Sequence, residues 1–144
     1  MIFRSITLQE ANVFLPILKE HLSRVTKLVM EGQAMHEKIS SHGNQVDTAG
    51  GVQLAKKTKK EKKALKQIEN LVRREMVEIQ QYGALVKSIF PPRVDFRSER
   101  HGQPVCLSWQ NGESEVSHWY PVEEGFAGRR WIEKPEEFGS TVIH

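Results

Sequence analysis

Apolar residues at Leu8, Ala11, Leu15, Leu18, Leu22, Val25 and Val29 recur in steps of three and four, a spacing that keeps them on one face of an α-helix. Thr7-Leu8-Gln9-Glu10 before them has the form of a capping box: a hydroxyl for the free amides and a glutamate that reaches back. The pattern predicts a helix over residues 7–40, with Pro16 inside it as a kink point near Asn12 to Leu15. Ser40-Ser41-His42-Gly43-Asn44 and Thr48-Ala49-Gly50-Gly51 read as a loop. A second helix is expected over residues 52–82, striped by Leu65, Ile68, Val72, Ile79 and Tyr82 and ended by Gly83. Two helices with one narrow stripe each make an antiparallel, coiled-coil-like hairpin whose stripes need further cover.

The period then changes from 3.6 to 2. A β-meander is expected over residues 85–122, starting at Leu85-Val86-Lys87-Ser88 and broken at Pro91-Pro92. It resumes with Val94 and Phe96, turns at Arg100-His101-Gly102 and returns from Val105 to Gln110. Asn111-Gly112 predicts a tight two-residue turn. That turn would set Leu107 opposite Val116 and Val105 opposite His118, with His118 and Tyr120 on the helix-facing side. Cys106, Ser108, Glu113, Glu115, Ser117 and Trp119 would share the other side. A Gly/Arg loop spans residues 123–132, and residues 133–144 show no period and read as a loose tail. The class is therefore α+β: a long helical hairpin followed by a small antiparallel meander, one domain over residues 1–132.

Three stretches carry a resemblance. They are Phe3 with Thr7-Leu8-Gln9-Glu10-Ala11-Asn12 and Leu15-Pro16; Val94-Asp95-Phe96; and Leu107-Ser108-Trp109 through Gly112-Glu113 to Trp119 and Gly125-Phe126-Ala127-Gly128-Arg129-Arg130. Together they resemble the uncharacterised, largely bacterial family called domain of unknown function 2203. The resemblance implies the same helical hairpin and small sheet, and it brings no activity. Here Ser108 stands where the family commonly has cysteine, Tyr120 where it has histidine, and Pro121 where it has an acidic residue. A thiol or metal role implied by the family would fall on Cys106 and His118 instead.

Charge changes the picture more than composition does. The net charge is only +3, but Lys56, Lys57, Lys59, Lys60, Lys62, Lys63 and Lys66 crowd one stretch of the second helix. This basic face is a candidate nucleic-acid or ribosome contact, although no aromatic residue in it could stack on a base. Cys106 is the only cysteine, which excludes an internal disulfide and a zinc site built from cysteines. The remaining metal candidates are His101, His118 and Cys106, an alternative of metal-dependent activity at the sheet. No nucleophile motif or phosphate loop is present, so no catalytic residue and no cofactor are expected.

Arg129-Arg130 can bind an anion, or one arginine can lock the loop by pairing with Glu113, Asp95 or Glu124. Trp109, Trp119, Glu113, Arg129 and Arg130 are the candidate partner-binding residues. Met1-Ile2-Phe3-Arg4-Ser5 lacks the form of a signal peptide, and no apolar run is long enough for a membrane span. The expectation is a cytoplasmic, non-catalytic interaction module that self-associates as a homodimer, with its protein partner unidentified.

Overall fold

The structure, a computed structural model, describes residues 5–43 and 51–139. Helix α1 runs Leu8–Gly43 and helix α2 Gly51–Gln80, packed against each other; five strands follow. These are β1 (Ala84–Ile89), β2 (Pro92–Arg100), β3 (Gln103–Gln110), β4 (His118–Pro121) and β5 (Arg130–Trp131). They form one antiparallel sheet in chain order, so the fold is α+β. None of the described helices is long and apolar enough to cross a membrane.

The capping box closes as its sequence implies. Thr7 N–H donates to Glu10 Oε1 and Glu10 N–H to Thr7 Oγ1, each at 3.1 Å. Pro16 lies within α1, which continues beyond it. At its far end α1 carries through Ser40-Ser41-His42, where a loop was expected; the rest of that expected loop, residues 44–50, lies outside the described residues.

The chain forms two compact units, Met1–Leu22 with Val77–His144, and Ser23–Met76. In the first, Ala11, Leu15, Leu18 and Leu22 are buried, as are Val94, Phe96, Val105, Leu107 and Trp109 of the sheet. Lys19 Nζ stands 5.4 Å over the Trp109 ring, and Asn12 clamps the Val116 backbone through two hydrogen bonds, 2.7 Å from its N–H and 3.3 Å to its carbonyl. The N-terminal stripe of α1 therefore covers this sheet face. The second unit is a pair of helical segments whose contacts include Arg24 Nε to Glu75 Oε1 at 2.7 Å and His42 Nδ1 to Glu61 Oε1 at 3.5 Å.

The register differs from the expected one. Leu107 pairs with Trp119 and Val105 with Pro121, so β4 is displaced by three residues from the position a two-residue Asn111-Gly112 turn would give. An odd displacement exchanges the faces of a strand. Trp119 therefore joins Leu107 on the helix-facing side, whereas His118 and Tyr120 join Ser108 and Cys106 on the other.

The return segment also departs from a loose tail as far as it is described. Pro135–Glu137 forms a single 3-10 turn, Phe138 is buried with its ring 5.3 Å from Trp119, and Gly139 N–H donates to the Glu99 carbonyl at 3.0 Å. An aromatic residue after a polar run is enough to dock it. Residues 140–144 lie outside the described residues.

Candidate functional site

The face of the sheet turned away from α1 collects polar side chains from three strands. Asp95 of β2 pairs with Ser108 of β3, which pairs with His118 of β4; Cys106 pairs with Tyr120. Asp95 and Ser108 are 0 % exposed, and Cys106 and Tyr120 are buried. Burying so much polar surface is costly unless the groups bond one another.

They largely do. Tyr120 Oη donates to Asp95 Oδ2. Arg129 donates from Nε to Ser108 Oγ at 2.9 Å and from Nη2 to the Ser108 carbonyl at 3.2 Å, and the same Nη2 holds Glu113 Oε1. Glu113 Oε1 also accepts the Gln110 N–H at 2.9 Å, and its carbonyl accepts Trp109 Nε1–H at 2.8 Å. The other carboxylate oxygen lies 3.3 Å from His118 Nδ1. One arginine thus ties the Gly/Arg loop to a strand and to the loop before β4.

Gly125, Phe126 and Gly128 shape the cover. Residues Phe126–Gly128 make a single 3-10 turn. A Cβ on Gly128 would lie 2.6 Å from Glu124 Oε1 and 2.8 Å from its Cβ, so only glycine fits this turn without moving Glu124. The Phe126 ring then meets Tyr120 edge-on at 6.3 Å, with the guanidinium carbons of Arg93 and Arg129 at 4.0 and 5.6 Å from its centroid.

Burial dominates the electrostatics. It pushes the Asp95 carboxyl up from its usual value, against the Tyr120 hydrogen bond and the positive charge of Lys87, Arg93 and Arg129. The Cys106 thiol is raised by burial and then by the Asp95 charge, so it is a poor nucleophile. Tyr120 is raised by burial and by its bond to Asp95. His118 is lowered by burial and by Arg129, with Glu113 opposing, which favours the neutral imidazole. Asp95 Oδ1 and Arg93 Nε meet no hydrogen-bond partner among the described residues.

Several expected residues are brought together and others are not. Glu113, Arg129, His118 and Cys106 share this face, because the three-residue shift of β4 carries His118 to the side expected for Cys106 and Glu113. His101 lies apart, on the β2–β3 turn, with Nε2 3.3 Å from Glu137 Oε2. Among the described residues, His101, His118 and Cys106 form no cluster of three ligand atoms within metal-coordinating reach. Trp109 and Trp119 are buried, and the exposed indole is Trp131 at 69 %. Arg130 pairs with Glu124 at 2.6 Å. Tyr120 was not among the candidates, and Asp95 was named only as one possible partner for an arginine of the Gly/Arg loop. The available signal was a carboxylate between two core residues, Val94 and Phe96, in a stretch that also carries the family resemblance.

An α+β fold with a polar, arginine-tied network beneath a glycine-bent loop is the class these observations define. The chain belongs to the family described as uncharacterized conserved protein (DUF2203), which it matches over residues 4–132. Comparisons with curated proteins and with solved structures returned no match.

Proposed function

We propose that this protein is a non-catalytic interaction module of the cytoplasm that pairs with a second copy through its helical hairpin. The observation that supports this is an open apolar groove of about 830 Å³ within the Ser23–Met76 unit. Leu28, Val29 and Gly32 of α1 and Leu65, Ile68 and Val72 of α2 line it, all only half-buried. A Cβ on Gly32 would make ordinary van der Waals contact with Ile68 Cγ2 at 3.5 Å, so the helices approach closely here without requiring glycine. Two helices alone cover one seam and leave its flank to water, which costs about 25 cal/mol for each Å² of apolar surface. Glu37, Glu69 and Arg73 also line the groove and bring both charge signs, as a surface that meets itself across a two-fold axis requires. The buried Arg129 network fits a rigid base rather than a reaction centre.

Sedimentation equilibrium on the full chain over a wide concentration range tests the reading. Dimer is expected, with Val72→Glu weakening it roughly 30-fold or more while far-UV circular dichroism stays unchanged. A mass that remains monomeric at every concentration rejects it.

A second reading, nucleic-acid contact, is favoured by one observation: Lys56, Lys57, Lys59, Lys60, Lys62, Lys63 and Lys66 are all solvent-exposed along α2. If they meet phosphates, changing Lys57, Lys60 and Lys63 to glutamine lowers the slope of log affinity against log salt by about 2 to 3. An unchanged slope rejects this face.

A further inference from the structure

Between Lys56 and Lys66 helix α2 carries seven lysines, and the one acid among them is turned inward: Glu61 is 9 % exposed, with Oε1 3.5 Å from His42 Nδ1 of α1. The seven lysines are all exposed, and no exposed carboxylate lies within the run to neutralise them. At 3.6 residues per turn they fan over an arc of about 220°, along about 15 Å of helix axis. Lys62 stands on one flank, Lys56 and Lys63 at the crest, and Lys57 on the other flank. Leu54, Thr58 and Leu65, all half-buried, take the opposite side.

This arrangement costs the helix stability. Lysines three and four apart repel one another. The run also begins within two turns of the N-terminus of α2, the positive end of the helix dipole, and the first turn holds no acid. An anion along this face relieves both penalties.

The residue types and the width of the arc say which anion. A bilayer is flat and meets the crest of a helix but not both flanks, and no large apolar side chain stands on the exposed arc to insert into it. A single strand is gripped by rings on which its bases stack, and no phenylalanine, tyrosine or tryptophan occurs between Phe14 and Tyr82. A groove walled by phosphates matches a helix charged on both flanks. The major groove of B-form DNA, about 12 Å wide, admits an α-helix with its side chains, whereas that of double-stranded RNA is too narrow. The run has no arginine, asparagine or glutamine to form a paired contact with a base edge, and lysine is a point charge on a flexible stem.

We propose that the Lys56 to Lys66 stretch of α2 lies in the major groove of double-stranded DNA with little regard to sequence, Lys57 on one phosphate wall and Lys62 on the other. This rests on the nucleic-acid reading above and names the duplex and the groove. Leu65, Ile68 and Val72 of the apolar groove fall on the side of α2 away from the crest, so pairing of two copies leaves the lysines open.

The test uses the full chain and four probes: a mixed-sequence DNA duplex two helical turns long, one of its strands, the RNA duplex of the same sequence, and phosphatidylserine-rich vesicles. Fluorescence anisotropy follows the nucleic acids and co-sedimentation the vesicles. The DNA duplex is expected to bind about tenfold tighter or more than its single strand or the RNA duplex, with log affinity falling against log salt at a slope of about −4 to −6. Two double variants then read the groove. Lys57→Gln with Lys62→Gln should lower that slope by about 2, at least as much as Lys56→Gln with Lys63→Gln. All four positions are exposed, so far-UV circular dichroism should stay as in wild type. Equal binding of the single strand or of the RNA duplex overturns the groove and leaves nucleic-acid contact standing. Binding to none of the three nucleic acids, or to the vesicles alone, overturns both. A flank pair that keeps the wild-type slope while the crest pair loses it lays the helix on a flat partner and overturns the groove as well.

Discussion

Replacing Arg129 with alanine is expected to lower the unfolding free energy by about 2–4 kcal/mol, the largest effect of any single side chain outside the apolar core. The guanidinium serves Ser108 Oγ, the Ser108 carbonyl and Glu113 Oε1 together, and it is 12 % exposed against 18 % for Glu113. Its removal leaves a largely buried carboxylate without its cation and a fully buried serine without its donor. The cost arises from those stranded groups more than from the attraction itself. Three further variants separate the terms. Arg129→Lys keeps the charge but offers a single ammonium in place of a fork, so it should recover less than half of the loss. Arg129→Met combined with Glu113→Gln removes both charges and should be more stable than Arg129→Met alone. Urea unfolding measures all four, and a loss below about 0.5 kcal/mol for the alanine variant would show that water already solvates the pair.

The same arginine shows where sequence reasoning reached and where it stopped. The hairpin was legible because the apolar stripe of α1 is long and regular and its start is chemically marked at Thr7 and Glu10. The family resemblance also pointed to the right segments, and Glu113 was among the candidate partners weighed for Arg129-Arg130. What could not be read was the register of β4. A type I′ turn at Asn111-Gly112 needs positive φ at both residues, and only Gly112 has it, at 100°. That geometry occurs one hairpin earlier, at His101 and Gly102 with φ of 52° and 76°. Between β3 and β4 the chain instead spends its backbone groups on side chains: Gln110 on Glu113, and Val116 on Asn12 of α1. Those bonds span up to 104 positions in sequence, which no local pattern encodes. The slip of three residues then determines which side chains meet. It buried Trp119 and brought Tyr120 to Asp95, so one long-range clamp on Val116 accounts for most of what the sequence concealed about the site.

Tyr120→Phe is the other substitution with a large expected cost, about 2–3 kcal/mol at neutral pH, and its signature is the way that cost varies with pH. Asp95 is fully buried, and Tyr120 is the side chain that hydrogen-bonds its Oδ2; Oδ1 has no partner among the described residues. Burial raises the Asp95 pKa above the ordinary 3.8, so the folded protein holds this proton to higher pH than the unfolded chain does. The stability this confers is fully present below the unfolded value and is lost as pH rises through the folded one. Tyr120 opposes the shift, because its hydrogen bond favours the charged carboxylate. Phenylalanine removes that opposition and moves the folded value further up. In acid, both proteins carry a neutral Asp95 and differ by one neutral hydrogen bond, about 1 kcal/mol. As pH climbs past the wild-type folded value, the variant keeps losing stability after the wild type has levelled off, and the gap widens until its own value is passed. Adding Asp95→Asn to Tyr120→Phe removes the titrating group and should flatten the difference. Urea unfolding from about pH 4 to about pH 8 decides it. A penalty that stays constant over that range would mean that Asp95 does not titrate there, and the buried carboxylate would have to be held by solvent rather than by Tyr120.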